Sequence, residues 1–259
     1  IAKDAKSKIV LVFVNTPEKS KPIFRTPPDK LNEEIDKRFK ELIQDYTGKF
    51  PADQFVCKII EGKKVCITLN KEAKAIKADL IILGTHGEKG IKIFKHSMAF
   101  QIVEKANVPV ISVRDGAHVP ASIKKVLIPI DDSLETRQKV PFAVQLAKNC
   151  GAEVHMLAVY HSSVKNVQKN IERYTRQSAS YLEKNDINFI VKSIQTDEVV
   201  KETIKYARKI DADMIAIMTT QITQISNLWK GSFAEQLIDQ SPIPVITVPA
   251  KELMRTLSR

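Results

Sequence analysis

Residues 78–113 read ADLIILGTHGEKGIKIFKHSMAFQIVEKANVPVISV, and the fold can be read outward from them. Leu80–Leu83 is a short apolar run closed by Gly84, the size of a buried strand. Gly84-Thr85-His86-Gly87 turns the chain into a loop. From Ser97 onward, Met98, Ala99, Ile102, Val103 and Ala106 recur at helical spacing. Val110–Val113, behind Pro109, is a second apolar strand. Strands alternating with helices mean parallel pairing and right-handed crossovers. A glycine turn that leaves a parallel strand toward a serine-capped helix offers bare N–H groups and a helix dipole, both of which favour an anion such as phosphate.

The arrangement occurs twice. Residues 213–248 read DMIAIMTTQITQISNLWKGSFAEQLIDQSPIPVITV. Ala78-Asp79 matches Ala212-Asp213, His96-Ser97 matches Gly231-Ser232, and Val108-Pro109-Val110 matches Ile243-Pro244-Val245. Upstream, Ala2-Lys3-Asp4 and Ile9–Asn15 match Ala147-Lys148-Asn149 and Val154–Tyr160. Self-similarity over this distance means two copies of one domain. The copies are expected at 1–113 and 124–259, joined by a polar linker over 114–123 that contains Gly116 and Pro120. The second copy has a strand at Val126–Ile130, followed by a helix over Glu135–Asn149 that Gly151 stops. Residues equivalent to Ile123–Leu146 do not stand before the first copy. That strand would be central, and without it two strand edges go unpaired, so residues ahead of Ile1 or another chain are expected to supply it. In the first copy, Asn32–Tyr46 is an amphipathic helix with Ile35, Phe39, Leu42, Ile43 and Tyr46 on one face.

On these residues the chain resembles a tandem universal stress protein. The family's pattern is G-x2-G-x9-G-S/T between the fourth strand and fourth helix, with an aspartate after the first strand in a P-x-D-x-S context. Here Pro129-Ile130-Asp131-Asp132-Ser133 occupies the second position. The resemblance implies an α/β fold of two doubly wound, five-stranded parallel-sheet domains paired through their last strands. Val110–Val113 and Val245–Val248 should then lie side by side, antiparallel. It also implies a regulatory stress-response protein that binds adenine nucleotide, ATP with magnesium, at the carboxyl ends of the strands, where ligands sit in doubly wound sheets. Carried over residue by residue, the first repeat offers Val14, Gly84, Gly87 and Ser97, and the second offers Asp131, Val159, Gly231 and Ser232. Neither set is whole. His96 replaces the third glycine of the first repeat, whose loop is one residue short, while Met218 and Gln221 stand where the second repeat's glycines belong. A Cβ at such positions hinders close approach of phosphate, so the first repeat is the better nucleotide site.

Simpler readings apply to the same residues. Gly84 and Gly87 can be a tight turn, Ser97 and Ser232 plain helix caps, and Asp131 a cap or an Asx turn. His86 and His96 read as loop residues, and Trp229 as a packing residue. No phosphate-binding G-x-x-x-x-G-K-S/T and no G-x-S-x-G elbow is present, so the protein is read as a binder rather than an enzyme, slow ATP hydrolysis aside.

Composition narrows the classes. At 259 residues and 43% hydrophobic, the chain has room for two ordinary globular domains. No apolar run reaches the roughly 18 residues of a membrane span. Cys57, Cys66 and Cys150 fit no metal spacing and read as reduced thiols of a cytoplasmic protein. The net charge of +11 is spread over helix faces without aromatic interleaving, which reads as a solvated surface rather than a nucleic-acid footprint. Two rivals to the nucleotide reading are a protein-binding scaffold with vestigial loops and a nucleic-acid-associated basic protein. The protein partner and any oligomer beyond the internal domain pair are not specified by these residues.

Overall fold

A computed structural model describes residues 7–16, 30–46, 50–85, 97–219 and 232–249. The chain divides into two units, Ile1–Lys77 and Ala78–Arg259. The smaller contains β1 (Ile9–Asn15), α1 (Leu31–Tyr46), β2 (Phe55–Glu61) and α2 (Val65–Ala75). The two strands pair in parallel, with Ile9 opposite Phe55 and Asn15 opposite Glu61. Of the expected apolar face of α1, Ile35 and Phe39 are buried, but Leu42 and Tyr46 are 48% and 47% exposed. Two strands spaced just under ~5 Å apart make a narrow floor, and the C-terminal turns of a sixteen-residue helix overrun it.

The larger unit carries β3 (Ile81–Thr85), α3 (Met98–Lys105), β4 (Val110–Arg114), β5 (Lys125–Ile130), α4 (Lys139–Cys150), β6 (Glu153–Tyr160), α5 (Lys165–Glu183), β7 (Phe189–Gln195), α6 (Val199–Lys209), β8 (Met214–Thr219), α7 (Phe233–Gln240) and β9 (Val245–Pro249). Its seven strands lie in the order β3-β4-β9-β8-β5-β6-β7. All neighbours run parallel except β4 and β9. The antiparallel contact expected between the two last strands is present, with Val110 opposite Thr247, Ile111 opposite Ile246 and Ser112 opposite Val245.

The second repeat builds the expected five-stranded parallel sheet, β9-β8-β5-β6-β7. The first repeat's described strands are split, with β3 and β4 in the large sheet and β1 and β2 in the small one. Among the described residues β1 pairs only with β2, and β3 only with β4. Ile82 on β3 is 64% exposed, whereas its counterpart Ala216 on β8, flanked by β5 and β9, is fully buried. β6, also flanked on both sides, is buried from Val154 to Val159, as a parallel strand covered on both faces should be. The outer strand β7 is exposed from Ile190 to Ser193 and carries Lys192 at its centre, and β2 carries Lys58 at the matching place. A mid-strand lysine discourages edge-to-edge pairing with another chain.

One element departs from the sequence expectation in a way that shapes the site. The single helix expected over Glu135–Asn149 is replaced by a 3-10 turn at Leu134–Arg137, after which α4 starts at Lys139. Pro141 explains the change. It has no N–H to give to a carbonyl one turn back, so it fits the first turn of a helix and not a position almost two turns in. The far end conforms, because Gly151 takes the left-handed φ of 65° that closes the helix.

The β4–β9 contact should be the energetic hinge of the larger unit. Ile246→Ala removes a 1% exposed side chain at its centre and is expected to cost about 2–4 kcal/mol. Ile82→Ala on the exposed edge should cost no more than about 0.5 kcal/mol. Urea unfolding of both variants checks the contrast.

Candidate functional site

The second repeat presents a complete set of strand ends. β8 lies on one side of β5 and β6 on the other, which makes β5 the strand where the order reverses. Ile130 pairs with Ala158, so Asp131 and Val159 come at the same level at the carboxyl edge. The register of β5 with β8, Val126 opposite Met214, carried on along both strands, brings Thr219 to that level too. The predicted Asp131 and Val159 are thus brought together.

Asp131 is held by its own loop. Its Oδ1 accepts the Ser133 N–H at 3.0 Å and the Ser133 hydroxyl at 2.6 Å, an Asx turn of the kind the sequence allowed. Its backbone N–H donates to Thr136 Oγ1 at 3.1 Å. The neighbouring Asp132 lies 3.6 Å from His161 Nε2 at the end of β6. These bonds fold the 3-10 turn back over the ends of β5 and β8.

Beneath that turn lies a group the sequence reading passed over. Lys139 is 4% exposed, and its Nζ donates to Thr136 Oγ1 at 3.3 Å. Thr136 Oγ1 therefore accepts two hydrogens, one from the strand end and one from the lysine. Among the described residues no carboxylate lies within 4 Å of the ammonium, the distance that defines an ion pair here. Burial pulls the Lys139 pKa down to about 8, while the more distant Asp131 carboxylate pulls the other way. The other cation of the turn is committed elsewhere. Arg137 stacks its guanidinium 4.5 Å above the Tyr174 ring and donates to Gln177 Oε1 at 2.8 Å. A signal for Lys139 was present in the sequence. With Val140, Ala143, Val144 and Ala147 it lies on the buried face of α4, the only charged residue there.

The remaining predicted residues are placed as follows. Ser232 caps α7, its Oγ accepting the Glu235 N–H at 3.2 Å, and Ser97 caps α3 by accepting the Phe100 N–H at 3.2 Å. Both therefore serve at least as helix caps. Val14 sits on β1 opposite Ile60 in the smaller unit. Gly84 is the fourth residue of β3, opposite Val113. Among the described residues a Cβ built there would come no closer than 3.9 Å, at the Val113 carbonyl oxygen, and its backbone is not left-handed. Among the described residues neither packing nor backbone conformation asks for glycine at that position. Met218 occupies the matching place in β8 and is buried. Gly87, Gly231, His86, His96, Gln221 and Trp229 lie outside the described residues. Among the described residues no group of three or more His, Cys, Asp or Glu is arranged to hold a metal, and no helix is long and apolar enough to cross a membrane.

A model described as the universal stress protein family matches residues 1–114 and 122–249. A curated universal stress protein of Methanocaldococcus jannaschii is 26% identical over 156 residues, 54% of this chain and 89% of that protein. The solved structure of a universal stress protein from Archaeoglobus fulgidus is 19% identical and aligns over 94% of this chain and 86% of its own, with a TM-score of 0.68. A protein of unknown function from Pseudomonas aeruginosa PAO1 is 16% identical and aligns over 99% of this chain and 87% of its own, with a TM-score of 0.62. At these identities the two structures speak to the fold alone.

The buried lysine has a stability signature with a definite sign. Its folded pKa of about 8 lies below the 10.5 of an ordinary lysine, so between those values the unfolded chain binds more protons and stability rises with pH. Below about pH 8 the whole penalty is present, about 3 kcal/mol at roughly 1.36 kcal/mol per unit. Lys139→Met keeps the volume and drops the charge. It should be more stable than the parent at pH 7 by up to about 3 kcal/mol, with the gain shrinking above pH 8 and gone near pH 10.5. Urea titrations of both proteins across that range check this, and the comparison cancels the tyrosines and cysteines that titrate in the same window.

Proposed function

The chain belongs to the universal stress protein family, and we propose that it is a regulatory stress-response protein that works by binding adenine nucleotide rather than by turning it over. The observation that carries the reading is Gly84. Glycine stands near the end of a parallel strand where, among the described residues, nothing crowds a Cβ. A position free of packing demands that still lacks a Cβ suits a ligand that must come close to the backbone. Ser97 opens the following helix α3 at its positive end, which suits a phosphate. ATP with magnesium is the preferred ligand, the metal entering as the nucleotide's own counter-ion. The first repeat is the better place for it, because it keeps Gly84 and Gly87. The two repeats, 1–113 and 124–259, act as an internal pair in the cytoplasm.

The scaffold reading draws on a different observation. The Asx turn already engages Asp131 in the second repeat, so that loop is satisfied without any ligand. A protein partner bound by closed loops would account for it.

Gly84→Val separates the readings. Among the described residues the Cβ meets nothing tight and valine suits a strand, so folding should be unaffected within about 0.5 kcal/mol. Mg-ATP binding measured by calorimetry should weaken at least tenfold. An unchanged affinity, or no nucleotide bound to the parent protein and none released from it on denaturation, moves the function to the scaffold class.

A further inference from the structure

We propose that the second repeat binds an oxyanion on the Lys139 ammonium at the carboxyl ends of β5 and β8, the lysine standing in for the loop glycines this repeat lacks. An ammonium has three N–H donors and no acceptor. One of the three reaches Thr136 Oγ1, at a long 3.3 Å. That oxygen already accepts the Asp131 N–H, so both its acceptor positions are filled. Among the described residues nothing else takes a hydrogen from Nζ, and no carboxylate comes within ion-pair distance. A buried cation left this way is costly, and buried charges are as a rule paired.

Position adds a second reason. The amine lies one hydroxyl away from the Asp131 backbone nitrogen, where β5 ends and the strand order reverses, the general location of ligands in doubly wound sheets. Asp131 does not close the pair, because its Oδ1 is taken by Ser133 and the carboxylate stays beyond ion-pair reach. Arg137 does not compete for the same ligand, being stacked on Tyr174. Asp131, Asp132 and Ser133, in the same loop, are only partly buried.

The repeat comparison explains why a lysine is needed here. A glycine loop holds phosphate through backbone N–H groups that need a close approach. The second repeat has Met218 and Gln221 in the sequence positions of two such glycines. A point charge at the end of a four-carbon stem reaches an oxyanion without that close approach. A phosphate group fits the requirement, either inorganic or carried by a nucleotide. Only the choice of nucleotide as carrier rests on the function proposed above.

Calorimetry with inorganic phosphate, AMP and adenosine on the full chain and on Lys139→Met tests the site. The parent should bind phosphate and AMP, and the variant should lose at least tenfold in affinity for both at this site, with adenosine affinity unchanged. A second measurement needs no variant. Acetylation of Lys139 near pH 8, followed by mass spectrometry, should slow severalfold with phosphate or AMP and stay unchanged with adenosine. Phosphate protection without AMP protection keeps the anion site and removes the nucleotide from it. AMP binding equal in parent and variant, with no protection of Lys139, overturns the lysine site and leaves the nucleotide reading standing. No binding of either anion overturns both for this repeat.

Discussion

The larger unit depends on the antiparallel contact between β4 and β9. Each repeat ends on a strand that has a parallel neighbour on one side only. Joining the two last strands satisfies both open edges with one set of backbone hydrogen bonds. The contact is self-complementary. Ile111 and Ile246 are equivalent residues of the two repeats and face each other, while Ser112 faces Val245 and Thr247 faces Val110. That is the geometry of a two-fold interface between identical subunits, built into one chain. Four of these six residues are apolar, and all are buried, so the seam is a continuation of the core.

From the seam outward the two repeats differ among the described residues, because only the second has a strand placed like β5. β5 sits between β8 and β6 and makes the second repeat continuous. Its burial from Val126 to Ile130 is complete, and α4 and the preceding turn are laid over it. Without such a strand next to it, β3 is an edge with an exposed isoleucine, and β1 is only partly buried along its length although its sequence IVLVFVN is as apolar as that of any central strand. The hydrophobic pattern of β1 and β3 is therefore written for neighbours on both sides. The charged residues at the centres of β2 and β7 are written for strands with a neighbour on one side.

Much of this was legible beforehand, for identifiable reasons. The strand and helix order follows from apolar runs and periodicity, and the duplication makes each assignment count twice. The β4–β9 pairing came through the family resemblance and the physics of open edges. The start of α4 is poorly legible because Val140, Ala143 and Val144 keep a helical period that runs smoothly back toward Glu135, and Pro141 alone breaks it. Leu42 and Tyr46 were placed on a buried face because amphipathicity describes a helix and not the width of the sheet beneath it. Lys139 is hard to single out because 41 residues of this chain are Lys or Arg, although its place on the apolar face of α4 marks it, and its burial then separates it from the rest. The roles of Ser97 and Ser232 as caps were readable, since Ser before an apolar helical run is a strong local signal.

On the two proposals above, Lys139 and Gly84 would be opposite ways of preparing a strand end for an anion. Gly84 removes a side chain and costs chain entropy, a fraction of a kcal/mol to about 1 kcal/mol in a strand interior. Lys139 adds a charge in a place where charge is disfavoured, and the cost is of the order of several hydrogen bonds. Such a cost can be carried only where the surroundings are strong. It falls on the second repeat, whose β5, β6 and β8 are enclosed on both sides, and not on the first, whose β3 is an open edge. The distribution is therefore physically consistent. The repeat with the weaker frame keeps the cheap device, and the repeat with the complete five-stranded frame carries the expensive one. Asp131 is what makes the expensive device tolerable, since its carboxylate lies close enough to raise the pKa of the lysine without neutralising it. An ammonium held in that intermediate condition, charged at neutral pH yet short of acceptors, has more to gain from an arriving oxyanion than one already locked in a salt bridge.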